Sequence, residues 1–76
     1  MNHAILIPKL NENDDEVVIL ELYVKEGDCV KIGQTLLEVE TSKAAVEIEA
    51  ESSGYIHWQV SEKDRVAILS TVAILF

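Results

Sequence analysis

The chain has 76 residues, 49% hydrophobic and 5% aromatic, and its 14 acidic against 6 basic side chains give a formal charge of −8. That length supports one small domain, since a chain of this size buries only roughly 60% of the surface its unfolded form exposes and leaves little room for an enclosed substrate pocket. The acidic balance, without any cluster of Lys or Arg, argues against nucleic acid and against an anionic membrane surface as partners. No apolar run is long enough to span a bilayer or resembles a signal peptide. Cys29 is the single cysteine, so no internal disulfide is possible, and the expected setting is the cytoplasm or an organelle matrix.

In chain order, Ala4 to Ile7 is a short apolar run stopped by Pro8, and Asn11 to Glu16 is a polar, acidic loop. Val17 to Val24 is rich in β-branched residues and places Val18, Leu20, Leu22 and Val24 in period two, which predicts a longer strand ended by turn chemistry at Gly27-Asp28, with Cys29 and Val30 in that turn. Leu36 to Glu40, Val46 to Ala50 and Tyr55 to Val60 follow as strands. The middle one alternates Val46, Ile48 and Ala50 against Glu47, Glu49 and Glu51, an apolar face against a carboxylate face. In the third, Ile56, Trp58 and Val60 are assigned to the core and Tyr55 and His57 to solvent. Ala4 to Ile7 and Val72 to Leu75 are left over and are expected to pair with each other, away from the middle of the chain. No stretch of ten residues shows a 3.6-residue period, so the fold class is all-β, a sandwich or flattened barrel of two small antiparallel sheets.

The sequence also repeats. Glu26-Gly-Asp-Cys-Val-Lys-Ile-Gly-Gln-Thr35 and Glu62-Lys-Asp-Arg-Val-Ala-Ile-Leu-Ser-Thr71 share Glu, Asp, Val, Ile and Thr at an offset of 36 residues. Two copies are too few for a solenoid, and neither buries an apolar face alone, which predicts two halves packed with quasi-twofold symmetry.

Between the copies, Glu40-Thr-Ser-Lys-Ala-Ala45 joins two predicted strands with no Gly or Asn-Gly, and a type I turn accepts Thr41, Ser42, Lys43 and Ala44 without strain. Lys43 then stands at the tip of a tight hairpin, with Glu38, Glu40, Glu47 and Glu49 on the strands leading in and out. A free lysine amine has a pKa of about 10.4, so on the order of one in a thousand is neutral at pH 7, and a nucleophilic lysine needs burial or neighbouring cations. Lys43 has neither, so chemistry at this residue requires another enzyme to act on it. His3 and His57 form no local metal pattern, and no Gly-rich phosphate loop, Ser-His-Asp order or catalytic carboxylate pair is present.

Over nearly its whole length the chain resembles the biotinyl/lipoyl carrier domains, above all the lipoyl domains of 2-oxo acid dehydrogenase acyltransferase subunits. The similarity runs through Ile7-Pro-Lys-Leu10, Val24-Lys-Glu-Gly-Asp-Cys-Val30, Gly33, Glu38-Val-Glu-Thr-Ser-Lys-Ala44, Val46-Glu-Ile-Glu-Ala50 and Gly54, with Gly33 ten residues before Lys43 and Gly54 eleven after it. The resemblance implies a flattened barrel of two sheets with quasi-twofold symmetry and makes Lys43 the covalently modified lysine, with Glu40, Thr41, Ser42 and Ala44 as the recognition surroundings. The family pattern has Asp immediately before the lysine, where this chain has Ser42; biotinyl relatives have Met on both sides, so lipoate is favoured over biotin as the cofactor on Lys43. Asn11 and Glu16 stand where dehydrogenase lipoyl domains often have Gly, and Lys63 and Leu69 replace Gly-like positions of the second repeat.

What the resemblance implies is a single non-catalytic domain over 1–76, excised from or N-terminal in a longer protein. It would be monomeric in itself and present a lipoylated lysine as a swinging arm for acyl and electron transfer. The implied partners are a lipoate-attaching enzyme and the dehydrogenase and acyltransferase components of a multienzyme complex. The alternative is an unmodified or biotinylated interaction module of the same fold appended to another enzyme, such as a sugar-modifying transferase.

Overall fold

Short apolar runs broken every few residues by Gly, Asp, Asn and Ser cannot sustain a helix, and each buries one face only by pairing and stacking with others. The computed structural model, which describes residues 2–76, forms eight strands accordingly: β1 (His3–Leu6), β2 (Glu16–Leu22), β3 (Cys29–Val30), β4 (Thr35–Glu40), β5 (Ala45–Glu49), β6 (Gly54–Trp58), β7 (Arg65–Ala67) and β8 (Thr71–Leu75). They make two antiparallel four-stranded sheets ordered β1-β8-β6-β3 and β5-β4-β2-β7. The result is a flattened sandwich, 33 × 20 × 19 Å, rather than a closed barrel.

Its core is aliphatic. Ile7, Ile19, Val30, Leu36, Leu37, Val39 and Val72 are fully buried, and among the described residues no polar or charged side chain is. Trp58 is half-buried against this core, and its indole N–H donates to the Val24 carbonyl at 3.0 Å. Ile56 is buried while Tyr55 and His57 face solvent, as the alternation predicts. The first and last strands pair as expected, with His3 opposite Leu75 and Ile5 opposite Ala73.

The repeat is written into the hydrogen bonds. Asp28 N–H donates to the Lys25 carbonyl (3.0 Å) and its carboxylate accepts from Lys25 N–H (2.8 Å), and Asp64 repeats both bonds with Ser61 at 3.2 and 2.9 Å. Tyr23 N–H to the Leu36 carbonyl recurs as Gln59 N–H to the Val72 carbonyl. The glutamates that open the two copies cross over: Glu26 accepts from Trp58 N–H (2.8 Å) and Glu62 from Leu22 N–H (3.0 Å). Each such pair is related by the offset of 36, so the symmetry joins the halves as well as relating them.

Three features depart from the sequence reading. In β2 the inward residues are Val17 and Ile19, while Val18 is half-buried and Leu20 is exposed, because a bulge between Ile19 and Glu21 inserts Leu20 and shifts the phase so that Val24 turns inward again. Further bulges at Leu36 and Val72, again 36 apart, let the consecutive pairs Leu36-Leu37 and Val72-Ala73 both face the core. The Cys29-Val30 segment, expected as turn, is a strand paired with Tyr55 and Gly54, and Arg65–Ala67 is its counterpart on β2.

Candidate functional site

The β4–β5 hairpin is held by a continuous ladder, Leu37 opposite Ile48, Val39 opposite Val46 and Glu40 opposite Ala45, with Leu37 and Val39 in the core. That leaves Thr41, Ser42, Lys43 and Ala44 beyond the last ladder pair. The turn closes differently from the expected type I bond, which would run from Ala44 N–H to the Thr41 carbonyl. Instead Thr41 N–H donates to the Ala44 carbonyl at 3.0 Å, and the Thr41 hydroxyl takes over the closure: Oγ1 accepts from Lys43 N–H (3.2 Å) and Ala44 N–H (3.1 Å) and donates to the Ala44 carbonyl (2.8 Å). A threonine at the first turn position supplies this substitute acceptor, which the main chain would otherwise have to provide.

Ser42, Lys43 and Ala44 are exposed and Thr41 is half-buried. Among the described residues no ion pair reaches Lys43. The concavity of about 450 Å³ between edge strands β1 and β5 is lined by Leu6, Pro8, Ile48 and Leu69, and no tip residue lines it. Lys43 is therefore exposed on a braced turn, and it lines neither that concavity nor the one along Lys9, Leu10, Asn11 and Glu12.

The sheet that carries the tip is negative on its outer face. Glu21 pairs with Glu38 and Glu38 with Glu47, a row of three carboxylates across β2, β4 and β5. Tyr23, beside them, has its phenol pushed above the ordinary range, first by burial and then by Glu38, Glu21 and Glu47. Like charges directly opposite cost stability, but they keep edge strand β5 soluble and resist pairing with other chains.

One residue near the tip escaped the sequence reading. Asp14, from the loop between β1 and β2, accepts from Ser42 N–H at 3.3 Å and from Asn11 Nδ2 at 2.8 Å. These bonds hold its carboxyl below the ordinary value of 3.8, with Asn11 the larger cause, Ser42 next, and the Lys43 charge a smaller contributor. The acidic loop was visible in the sequence, but its position beside a turn 28 residues away was not.

The fold and the site define a class: a small all-β display domain with one solvent-facing lysine at a braced hairpin tip. The family model Biotin_lipoyl, described as "Biotin-requiring enzyme", matches residues 3–67, and the chain belongs to that family. Among curated relatives, the dihydrolipoyllysine-residue succinyltransferase component of the 2-oxoglutarate dehydrogenase complex of Rickettsia felis is 43% identical over 56 residues, 74% of this chain and 14% of that protein. The dihydrolipoyllysine-residue acetyltransferase component of the pyruvate dehydrogenase complex of Zymomonas mobilis is 39% identical over 56 residues, 74% of this chain and 13% of that protein. The chain thus spans about a seventh of the length of these relatives. The solution structure of the lipoyl domain of the 2-oxoglutarate dehydrogenase complex from Azotobacter vinelandii superposes with a TM-score of 0.79 at 26% identity, covering 96% of this chain and 94% of that one.

Proposed function

We propose that this chain is a lipoyl carrier domain in which Lys43 is the attachment point for lipoate, serving as a swinging arm between active sites of a 2-oxo acid dehydrogenase complex. The observation that carries the reading is the tip itself: an exposed lysine, with no ion pair reaching it among the described residues, on a turn whose N–H groups are taken up by Thr41 and Asp14. Such a tip fits a lysine that must enter another protein's active site, because its backbone needs no partner from that protein.

When attached through an amide to the lysine amine, lipoate supplies a dithiolane that takes up an acyl group with two electrons and releases them elsewhere. The chain's own part is mechanical and electrostatic. The β4–β5 ladder places the tip at the end of the sheet, and the Thr41 bonds shape the turn so that Lys43 is the residue offered. Glu40 ends β4, and Ser42 and Ala44 flank the lysine as exposed small residues that leave it sterically open. Amide formation removes the lysine charge and makes the tip region more negative.

The domain itself catalyses nothing in this reading. Its partners are a lipoate-attaching enzyme and the dehydrogenase and acyltransferase components, and tethering in one polypeptide would give the arm a high effective concentration at each station. The setting proposed with this reading is the cytoplasm or an organelle matrix, in keeping with a single cysteine and no possible internal disulfide.

The test is intact mass after incubation with a lipoate–protein ligase, lipoate and ATP, followed by peptide mapping. A lipoyl-sized increment on Lys43 is expected. Lys43→Arg should abolish it, and so should the transposition of Ser42→Lys with Lys43→Ser, which moves the amine along the turn while preserving the ladder. A parent chain that stays unmodified, or a transposed chain labelled as fast as the parent, would overturn the proposal.

A further inference from the structure

The lysine hairpin is braced from outside as well as from within. Of the three consecutive N–H groups at its tip, those of Lys43 and Ala44 are accepted by Thr41 Oγ1, which belongs to the tip and moves with it. The third, that of Ser42, is accepted by Asp14 at 3.3 Å, a residue on a different segment of the chain.

That segment is itself tied down. On one side Leu10 packs against the core; on the other, the Asp15 carbonyl accepts from Ile68 N–H at 2.9 Å, immediately before β2 begins. Between these anchors Asn11 donates to the same Asp14 oxygen at 2.8 Å and so aims the carboxylate. A turn beyond its last ladder pair is free to rock about the hairpin axis, and no bond made inside the turn can prevent that. An acceptor fixed to the opposite loop can.

We propose that Asp14 is a positioning residue for Lys43: its carboxylate, aimed by Asn11 and anchored through the β1–β2 loop, holds the Ser42 N–H and thereby fixes the direction in which the lysine is presented. Its negative charge also lies near enough to Lys43 for the two to attract weakly. The inference rests on Lys43 being the attachment point. The carboxyl is held below its ordinary value by the same two partners, so the acceptor is ionised at neutral pH.

The test compares Asp14→Ala, Asp14→Asn and Asp15→Asn in the 76-residue chain. Two quantities are read: the backbone 15N heteronuclear NOE of Ser42 and Lys43, and the kcat/KM of lipoate attachment by a lipoate–protein ligase. Asp14→Ala should lower both NOE values and reduce kcat/KM by roughly three- to tenfold, the scale of one lost hydrogen bond that orients a reacting group. Asp14→Asn keeps an acceptor oxygen and should recover most of the NOE. Asp15→Asn removes the same charge without touching the tip and should leave both readouts at parent values.

Parent-like NOE values in Asp14→Ala would overturn the proposal, as would equal rate losses in Asp14→Ala and Asp15→Asn. If the parent is not modified on Lys43 the carrier reading fails, yet the NOE comparison still decides whether Asp14 holds the tip.

Discussion

Leu69 and Lys63 adopt left-handed backbone conformations, φ 72° and 74°, at the positions 36 residues after Gly33 and Gly27, whose φ values are 86° and 84°. The second repeat has kept the turn geometry and lost the residue suited to it. For an L-residue the left-handed conformation costs roughly 1–2 kcal/mol, and glycine's greater freedom in the unfolded chain takes back about 0.4–1. Leu69 is 64% exposed, so little packing is lost on truncation. Leu69→Gly should therefore stabilise the domain by about 0.5–1 kcal/mol, which for a domain of this size is a rise of roughly 2–8 °C in Tm. Lys63→Gly should act in the same direction but less cleanly, because it also removes a cation from an already acidic chain. The reverse substitution is the control: nothing lies within 4 Å of where a Gly33 side chain would begin, so Gly33→Ala reports backbone strain alone and should lower Tm by a similar amount. Calorimetry at pH 7 and one protein concentration decides it. A lower Tm for Leu69→Gly together with an unchanged Tm for Gly33→Ala would refute the reasoning.

Deleting residues 72–76 should abolish cooperative melting, since β8 lies between β1 and β6 and contributes Val72 and Leu75 to the core at about 1.5–3 kcal/mol each, against a total stability of roughly 5–15; a truncated chain with an intact melt would disprove the closure. Trp58→Phe keeps most of the packing but leaves the Val24 carbonyl without its indole donor, and should cost about 0.5–1.5 kcal/mol in chemical denaturation. Asp14 and Glu26 both sit below their ordinary values of 3.8 and 4.5, Asp14 chiefly through Asn11 and Glu26 chiefly through the His57 hydrogen bond and then Trp58 N–H. Because folding lowers these pKa values, their contribution is complete above the ordinary carboxylate range and disappears as pH falls through the lowered folded values. Urea midpoints measured from pH 6 down to pH 2 should fall across that window, and less steeply in the Asp14→Asn, Glu26→Gln double variant.

The pairing of β4 with β5 and the exposure of Lys43 between them were legible in residues 36–49, where two alternating strands flank a short polar turn, although equally short connections, such as that between β7 and β8, cross from one sheet to the other. The same holds for the outward Glu47 and Glu49 and inward Ile48, where strict alternation survives into the structure. The repeat announced the symmetry because its conserved Glu and Asp are the residues whose carboxylates make the duplicated hydrogen bonds. Alternation is a local property, however, and a bulge is set by the partner strand. The inward phase of β2, broken at Leu20, and the double burial at Leu36-Leu37 depended on register with neighbours far along the chain. The two-residue strand Cys29–Val30 has too few positions to display a period and exists because β6 comes to lie beside it. Asp14 is the functional instance of the same limit: its residue type was plain, but its place at Ser42 is created when the β1–β2 loop and the hairpin fold against each other, and no pattern confined to either segment encodes that contact.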